Sequence, residues 1–367
     1  MDFSPDENQR AAAELAAEVL AKERAAEHDG AGAATPYQQQ VWSAMATVGL
    51  LGLALPPDLD GDGLGIAEIA VVLREVGKSG ARVPALATLA FGVLPVATRG
   101  TPAQRDDLLP AVASGQRILT GATNEVGSPL VTTPRTVARQ EASGWRLSGR
   151  KVGVPYAAQA HRILVPASLD EGTGVFLVDP QAPGVTLTPT PTASGSPECT
   201  VTFDGVDVST ADLLGADTSG KAARCLRECA VAGAGAAGDG GLAGALELTT
   251  EHLRTREQFG KPLATFQAVA QQAADVYIAE RTVHLAATSA AWRLGSGREA
   301  TAELDLAAYW LATEALPALR TCHHLHGGIG VDVTYPLHRH YSDLKDLTRL
   351  LGGHRTRLAT LGAGAGS

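Results

Sequence analysis

Along the first third of the chain, apolar residues recur at helical spacing. Leu15, Val19 and Leu20 form the stripe of a first helix, and Ser4 ahead of Pro5 reads as its N-cap with proline in the first turn. A second helix is predicted over roughly 36–49, ended by the segment from Gly52 to Pro57. Apolar positions from Ile66 to Val76 predict a third. Thr101-Pro102 caps another, whose Leu108, Leu109 and Val112 face inward. Near residue 119 the period changes. Short β-rich runs follow at 136–138, 145–147, 163–165, 175–178, 185–187 and 200–203, with Ser-Gly, Asp-Gly and Pro-Gly turns between them. From about 216 the helical pattern returns, with long helices predicted at 219–255, 264–294, 300–326 and 336–351. The tail from Gly362 to Ser367 reads as a frayed end. The expected fold is α+β and multidomain: an N-terminal helical domain (1–118), a central antiparallel β-barrel or sandwich (119–215) and a C-terminal four-helix bundle (216–367).

Composition narrows the function classes. Apolar residues make up 45% and charged residues 19%, the balance of a globular protein. A net charge of −9 leaves no broad basic field, which argues against nucleic acid as a partner. Six lysines against 24 arginines read as codon bias of a GC-rich genome. The longest apolar stretch, Ala230 to Leu246, is broken by glycines and by Asp239, so no membrane span is expected. The residues from Met1 to Glu7 lack a basic region followed by an apolar one, so a signal peptide is not expected and a cytoplasmic location is. Cys199, Cys225, Cys229 and Cys322 form no CxxC pair and read as buried free thiols in a reducing compartment. Asp58-Leu59-Asp60-Gly61-Asp62-Gly63 mimics the opening of a calcium loop. Its twelfth position is Ile69, so it reads as a polar connector and no metal is expected there.

Two strings in the last third carry the chemistry. One is Arg256-Glu257-Gln258-Phe259-Gly260-Lys261-Pro262-Leu263, followed by Phe266-Gln267. The other is His324-Leu325-His326-Gly327-Gly328-Ile329-Gly330, followed by Tyr335-Pro336-Leu337-His338-Arg339. Together they resemble the flavin-binding signatures of the acyl-CoA dehydrogenase family, and the three-block layout matches that family's fold. Weaker resemblances lie at Gly49 to Pro56, at Leu73 to Gly77, at Gly121 to Ser128 (a degraded Thr-Glu-Pro-Gly loop) and at Phe203 to Val208 with Leu213-Leu214-Gly215. The resemblance implies FAD as cofactor, an acyl-CoA substrate and an electron-transfer flavoprotein or similar acceptor. It places Arg256 on the pyrophosphate, where a guanidinium suits the charge. Phe259 would lie against adenine, and Gln267 would hydrogen-bond the nucleotide. Gly327-Gly328, supplied across a subunit interface, would let backbone approach the adenosine. His324 replaces the usual glutamine. His323, His324 and His326 otherwise read as cations favoured at a helix C-terminus.

The chain departs from the family where proton abstraction occurs. The family's glutamate, which removes the α-proton of the thioester, corresponds here to Leu351, which cannot take a proton. The alternative base position, 26 residues before Arg256, is Ala230. Glu228 lies about 200° round the helix from it, a weak alternative. After Lys151, the aromatic and the Ser/Thr that contact the flavin ring are replaced by Gly153 and Pro155. The pattern resembles the base-lacking subunit of heteromeric α2β2 bacterial dehydrogenases acting on steroid side-chain CoA esters. The implied function is α,β-dehydrogenation of an acyl-CoA, with this chain completing the flavin site and interface while a homologous subunit supplies the carboxylate. Two alternatives remain: a homomeric flavoenzyme using Glu228 or another base, and a non-catalytic relic that binds acyl-CoA or a partner. The small residues from Gly233 to Gly238 serve either close helix packing or room for a bulky acyl group.

Overall fold

The computed structural model describes residues 3–27, 36–142 and 144–365. Helices α1 (Glu7–Glu27), α2 (Gln39–Thr47) and α3 (Ile66–Ser79) build the N-terminal layer. A π-helical segment (Leu86–Val93) runs into α4 (Leu94–Arg99), and α5 (Pro102–Ala113) closes the layer. The start of α1 differs from expectation. Asp6, not Ser4, caps it: Gln9 N–H donates to Asp6 Oδ1 at 2.9 Å, and Asp6 N–H donates to Gln9 Oε1 at 3.2 Å. A carboxylate with a reciprocating amide three residues on satisfies two helix-end donors. Thr101 caps α5 as predicted, in the same reciprocal arrangement with Gln104. The Gln104 side chain also donates to the Ala211 and Leu213 carbonyls (2.7 and 2.9 Å), which fastens this layer to the β domain.

The middle of the chain forms one seven-stranded sheet: β1 (Leu119–Gly121), β2 (Val137–Glu141), β3 (Gly144–Pro155), β4 (Arg162–Ser168), β5 (Thr173–Val178), β6 (Val185–Pro189) and β7 (Glu198–Val208). The strand order is β1-β4-β2-β3-β7-β6, with β5 added on β4. The sheet is mixed, not wholly antiparallel. β1 runs parallel to β4, and β2 meets β4 in a single parallel pairing. These pairs are joined by long connections instead of hairpin turns, so parallel pairing is open to them. The register of β3 on β7 is interrupted between Lys151 and Val154. That irregularity bends β3 at Gly153, next to the site described below.

Helices α6 (Lys221–Thr255), α7 (Gln267–Gly295), α8 (Thr301–His326) and α9 (Leu337–Leu350) form the bundle. A two-stranded hairpin, β8 (Glu257–Gln258) and β9 (Lys261–Pro262), links α6 to α7. The expected frayed tail is instead a fifth helix, α10 (Gly353–Ala365), packed on α8; its last two expected residues, 366 and 367, lie outside the described residues. Leu358 is exposed while Arg357 is buried, an inverted polarity that hid this helix from pattern reading. The small residues of α6 serve packing. A Cβ on Gly240 would sit 1.9 Å from the Arg74 carbonyl oxygen, and one on Gly77 would sit 2.1 Å from that of Ala237. The backbones of α3 and α6 therefore touch, and one hydrophobic core runs unbroken from the N-terminal layer into the bundle. All four cysteines are buried and free. No helix among the described residues is long and apolar enough to cross a membrane.

Candidate active site

A cavity of about 160 Å³ opens where β3, β7, α3, α6, α9 and the π-helical segment meet. Its inner wall is apolar, with Leu73, Leu86, Phe91, Leu344, Leu347 and Leu350. Arg82, Tyr156, Glu198, Asp343 and Arg349 supply polar groups at the same cavity. Burial pushes the Tyr156 hydroxyl up to about 12. Burial also pushes the Asp343 carboxyl up to about 7; Asp346 adds repulsion, and Arg82 and Arg339 pull the other way. Asp343 is therefore the cavity carboxyl poised near neutrality.

The loop that resembles the family's Thr-Glu-Pro-Gly turn is anchored by buried polar contacts. Glu125 accepts from Lys151 Nζ (2.7 Å), Arg135 N (2.7 Å), Thr136 N (3.0 Å) and Thr136 Oγ1 (2.8 Å). Burial opposes ionisation, but the Lys151 ammonium and the other donors outweigh it and hold the carboxyl down at about 2. Burial pushes Lys151, which has no exposed side-chain surface, down to about 8. Both groups are thus charged at neutral pH. Next to them, Asn124 Nδ2 donates to the Leu350 carbonyl at 2.9 Å and ties the β domain to the end of α9.

The position where the family carries a ring-covering aromatic is filled differently. Gly153 has φ +65°, a left-handed conformation, and a Cβ there would lie 3.4 Å from Arg349 Nη1 and 3.8 Å from the Glu198 carboxyl. Arg349 is ion-paired with Glu198 across that spot and approaches Asp346 at 3.7 Å. A charged bridge between β7 and α9 thus lies beside the β3 bend, at ordinary contact distance from where a Cβ at 153 would sit. No spacing rule signals this pair, because its partners lie 151 residues apart.

The candidate bases are also placed. Leu351 ends α9, is fully buried in the continuous core and does not line the cavity, whereas Leu347 and Leu350 do. Ala230 is buried in α6, two turns before the cavity-lining Ala237 and on the same helical face. Glu228 precedes Ala237 by nine residues, which puts it on the opposite face of α6. It is half-buried, and burial raises its carboxyl while Arg224 and Arg227 lower it. The cavity therefore does not receive Glu228.

The six candidate cofactor residues lie together at the other end of α6 and α8, all on the surface. Arg256 is the first residue after α6, Phe259 is 92% exposed at the β8–β9 turn, and Gln267 opens α7. His324, Gly327 and Gly328 close α8 and are exposed. Gly327 has φ +62°, and a Cβ on Gly327 or Gly328 would meet no atom within 4 Å among the described residues. Among the described residues no contact requires glycine at Gly328, and a bare turn leaves its backbone open to close approach. The chemistry of an exposed guanidinium beside an uncovered Gly-Gly turn suits a pyrophosphate-bearing nucleotide. Gly153 itself offers no side chain with which to cover an isoalloxazine ring.

A helical layer, a central sheet and a helical bundle around a cavity where the three meet define a flavin-dependent dehydrogenase fold. The family models described as acyl-CoA dehydrogenase, N-terminal domain and C-terminal domain, match residues 6–116 and 220–364. The chain belongs to the acyl-CoA dehydrogenase family, whose members are FAD-containing oxidoreductases acting on CH–CH bonds. It is 46% identical over 363 residues to the acyl-CoA dehydrogenase FadE28 of Mycobacterium tuberculosis, covering 99% of this chain and 98% of that protein. Two solved structures superpose closely. The steroid acyl-CoA dehydrogenase variant titled Tcur3481-Tcur3483 has TM-score 0.89 and 35% identity, with 98% of this chain and 99% of that one covered. The ChsE4-ChsE5 complex of Mycobacterium tuberculosis has TM-score 0.91 and 31% identity, with 100% and 99% covered.

Proposed function

We propose that this chain is the base-lacking subunit of a heteromeric, FAD-dependent acyl-CoA dehydrogenase. In the reaction the α-proton of the thioester passes to a carboxylate on the homologous partner, the β-hydride leaves, and a carbon–carbon double bond forms. FAD, when bound, accepts the hydride and passes its electrons to an electron-transfer flavoprotein or a similar acceptor. This chain's part is to present Arg256, Phe259, Gln267, His324 and the Gly327-Gly328 turn to the nucleotide half of the cofactor, and to complete the interface. The observation that carries the reading is the buried Leu351, at the position that the resemblance gives to the base, in a chain whose ring-covering position is Gly153 beside the Arg349–Glu198 bridge. Similarity to a steroid dehydrogenase and to a two-component complex supports a steroid side-chain CoA ester as substrate and an α2β2 assembly.

The test is co-expression with a homologous dehydrogenase subunit. The lone chain is expected to purify nearly colourless and inactive, and the complex to carry flavin and turn over acyl-CoA. A lone chain holding one flavin per subunit and oxidising thioesters refutes the proposal. A second reading, a homomeric enzyme with its own base, is favoured by the cavity position of Asp343 and its raised carboxyl, not by Glu228. In that case the lone chain is active and Asp343→Asn abolishes turnover.

A further inference from the structure

The surface strings are joined underneath by two histidines. His252 lies in the last turn of α6, and its carbonyl accepts the Arg256 N–H at 2.8 Å. His326 is the last residue of α8 and directly precedes Gly327. Their imidazole rings stack, with centroids 4.5 Å apart and planes 20° from parallel. His326 is buried and fully engaged. Its Nδ1 lies 2.8 Å from the Cys322 carbonyl, and its Nε2 lies 3.0 Å from the Tyr335 hydroxyl. A carbonyl only accepts, so Nδ1 carries the hydrogen, and Nε2 of the neutral ring accepts from Tyr335. The ring is thus pinned on both edges, from its own helix and from the segment beyond the turn. The turn packs back onto it: a Cβ on Gly330 would lie 3.0 Å from His326 Cβ.

We infer that His326 is a positioning residue for the nucleotide half of the cofactor: pinned by Tyr335 and stacked on His252, it sets the Gly327-Gly328 turn against Arg256 so that both meet one pyrophosphate-bearing nucleotide. The inference rests on the reading that Arg256 and the glycine turn hold the flavin nucleotide. Its physical basis is preorganisation. Arg256 and the turn belong to different helices, and without a rigid spacer the cost of ordering them falls on binding. An imidazole held by two hydrogen bonds and a stack is such a spacer. His326 contacts nothing of the cofactor in this account; it acts through the turn it precedes.

The experiment uses the assembled complex with its flavin removed and measures FAD and ADP affinity by titration. ADP carries the pyrophosphate and adenosine without the ring. Five variants are compared: Arg256→Ala, His326→Phe, Tyr335→Phe, His252→Ala and the double variant His252→Ala/His326→Phe. His326→Phe keeps an aromatic ring but loses both hydrogen bonds. The expected result is roughly tenfold weaker binding of both FAD and ADP for His326→Phe, about 1.4 kcal/mol. Tyr335→Phe is expected to weaken both severalfold, and the His252 and His326 changes to be non-additive in affinity. Complex mass and thermal midpoint serve as the structural control. A merely structural histidine would lower the midpoint and leave ADP affinity unchanged in the complex that remains folded. If Arg256→Ala weakens ADP binding while the His326, Tyr335 and His252 variants stay within twofold of the parent, the positioning role is refuted and the nucleotide reading survives. If Arg256→Ala changes nothing, the nucleotide reading itself fails and the inference goes with it. Should His326→Phe not assemble, Tyr335→Phe decides by the same thresholds.

Discussion

Removing the Lys151 ammonium tests the polar anchor under the cavity. In Lys151→Met the apolar stem is retained, but the Glu125 carboxylate, 3% exposed, loses its counter-charge. Three donors remain on it: Arg135 N, Thr136 N and Thr136 Oγ1. Breaking a buried pair from one side costs about 3–5 kcal/mol, and the remaining donors place this case near the low end, about 3 kcal/mol. That lowers the thermal midpoint by roughly 4 °C, with an unfolding entropy of about 2.1 cal/mol/K for each of 367 residues. The assay is thermal unfolding at pH 7 of the parent, Lys151→Met, Glu125→Gln and the double variant. The double variant is expected to lose less than the sum of the singles by about 1 kcal/mol or more, because the two changes remove one shared interaction. The pH dependence supplies a second reading. The folded Glu125 carboxyl sits at about 2, against an ordinary 4.5. Its stabilisation is therefore complete above about pH 4.5 and is lost as pH falls toward 2. The gap between parent and Lys151→Met should shrink across that window. A midpoint change under 1 °C at pH 7, or a gap that stays constant down to pH 3, refutes the assignment of Lys151 as the partner that keeps Glu125 ionised.

Three further outcomes are expected. Leu351→Glu restores the family's carboxylate by identity but places it in the sealed core; we expect a fall in thermal midpoint of several degrees and no dehydrogenation by the lone chain, and detectable turnover would overturn the placement. For Asp343 the folded carboxyl is raised from 3.8 to about 7, so parent stability declines as pH rises from about 4 to 7 and then levels. Asp343→Asn removes that slope, so its midpoint relative to the parent should be higher at pH 8 than at pH 4, and equal differences at both pH values would contradict the account. Gly240→Ala puts a methyl 1.9 Å from the Arg74 carbonyl oxygen, backbone that cannot swing aside, and should cost about 3 kcal/mol in denaturant unfolding; a cost below about 0.5 kcal/mol would show that the α3–α6 contact is looser than the structure has it.

The sequence by itself determined whatever depends on neighbours along the chain. Helical and strand periods separate the three blocks, Thr101-Pro102 marks the start of α5, and the strings around Arg256 and Gly327 resemble the family's flavin-binding signatures. An aliphatic residue at 351 was visible as a missing base. These are properties of local geometry and residue identity, which a linear string carries. Only the tertiary structure decided the rest. The Arg349–Glu198 bridge at Gly153 brings together side chains from β7 and α9, and the His252–His326 stack joins the ends of two separate helices. Asp343 becomes a near-neutral carboxyl because burial penalises its charge, and Glu228 is excluded because its helix turns it away from the cavity. The small residues from Gly233 to Gly238 have two readings in the sequence, and in the fold both hold: a Cβ on Gly233 or Gly238 would sit 2.5 Å from Ala90 or Leu311, while Ala237 lines the cavity. Desolvation and contact between distant segments exist only once the chain has folded, so no local pattern encodes them legibly.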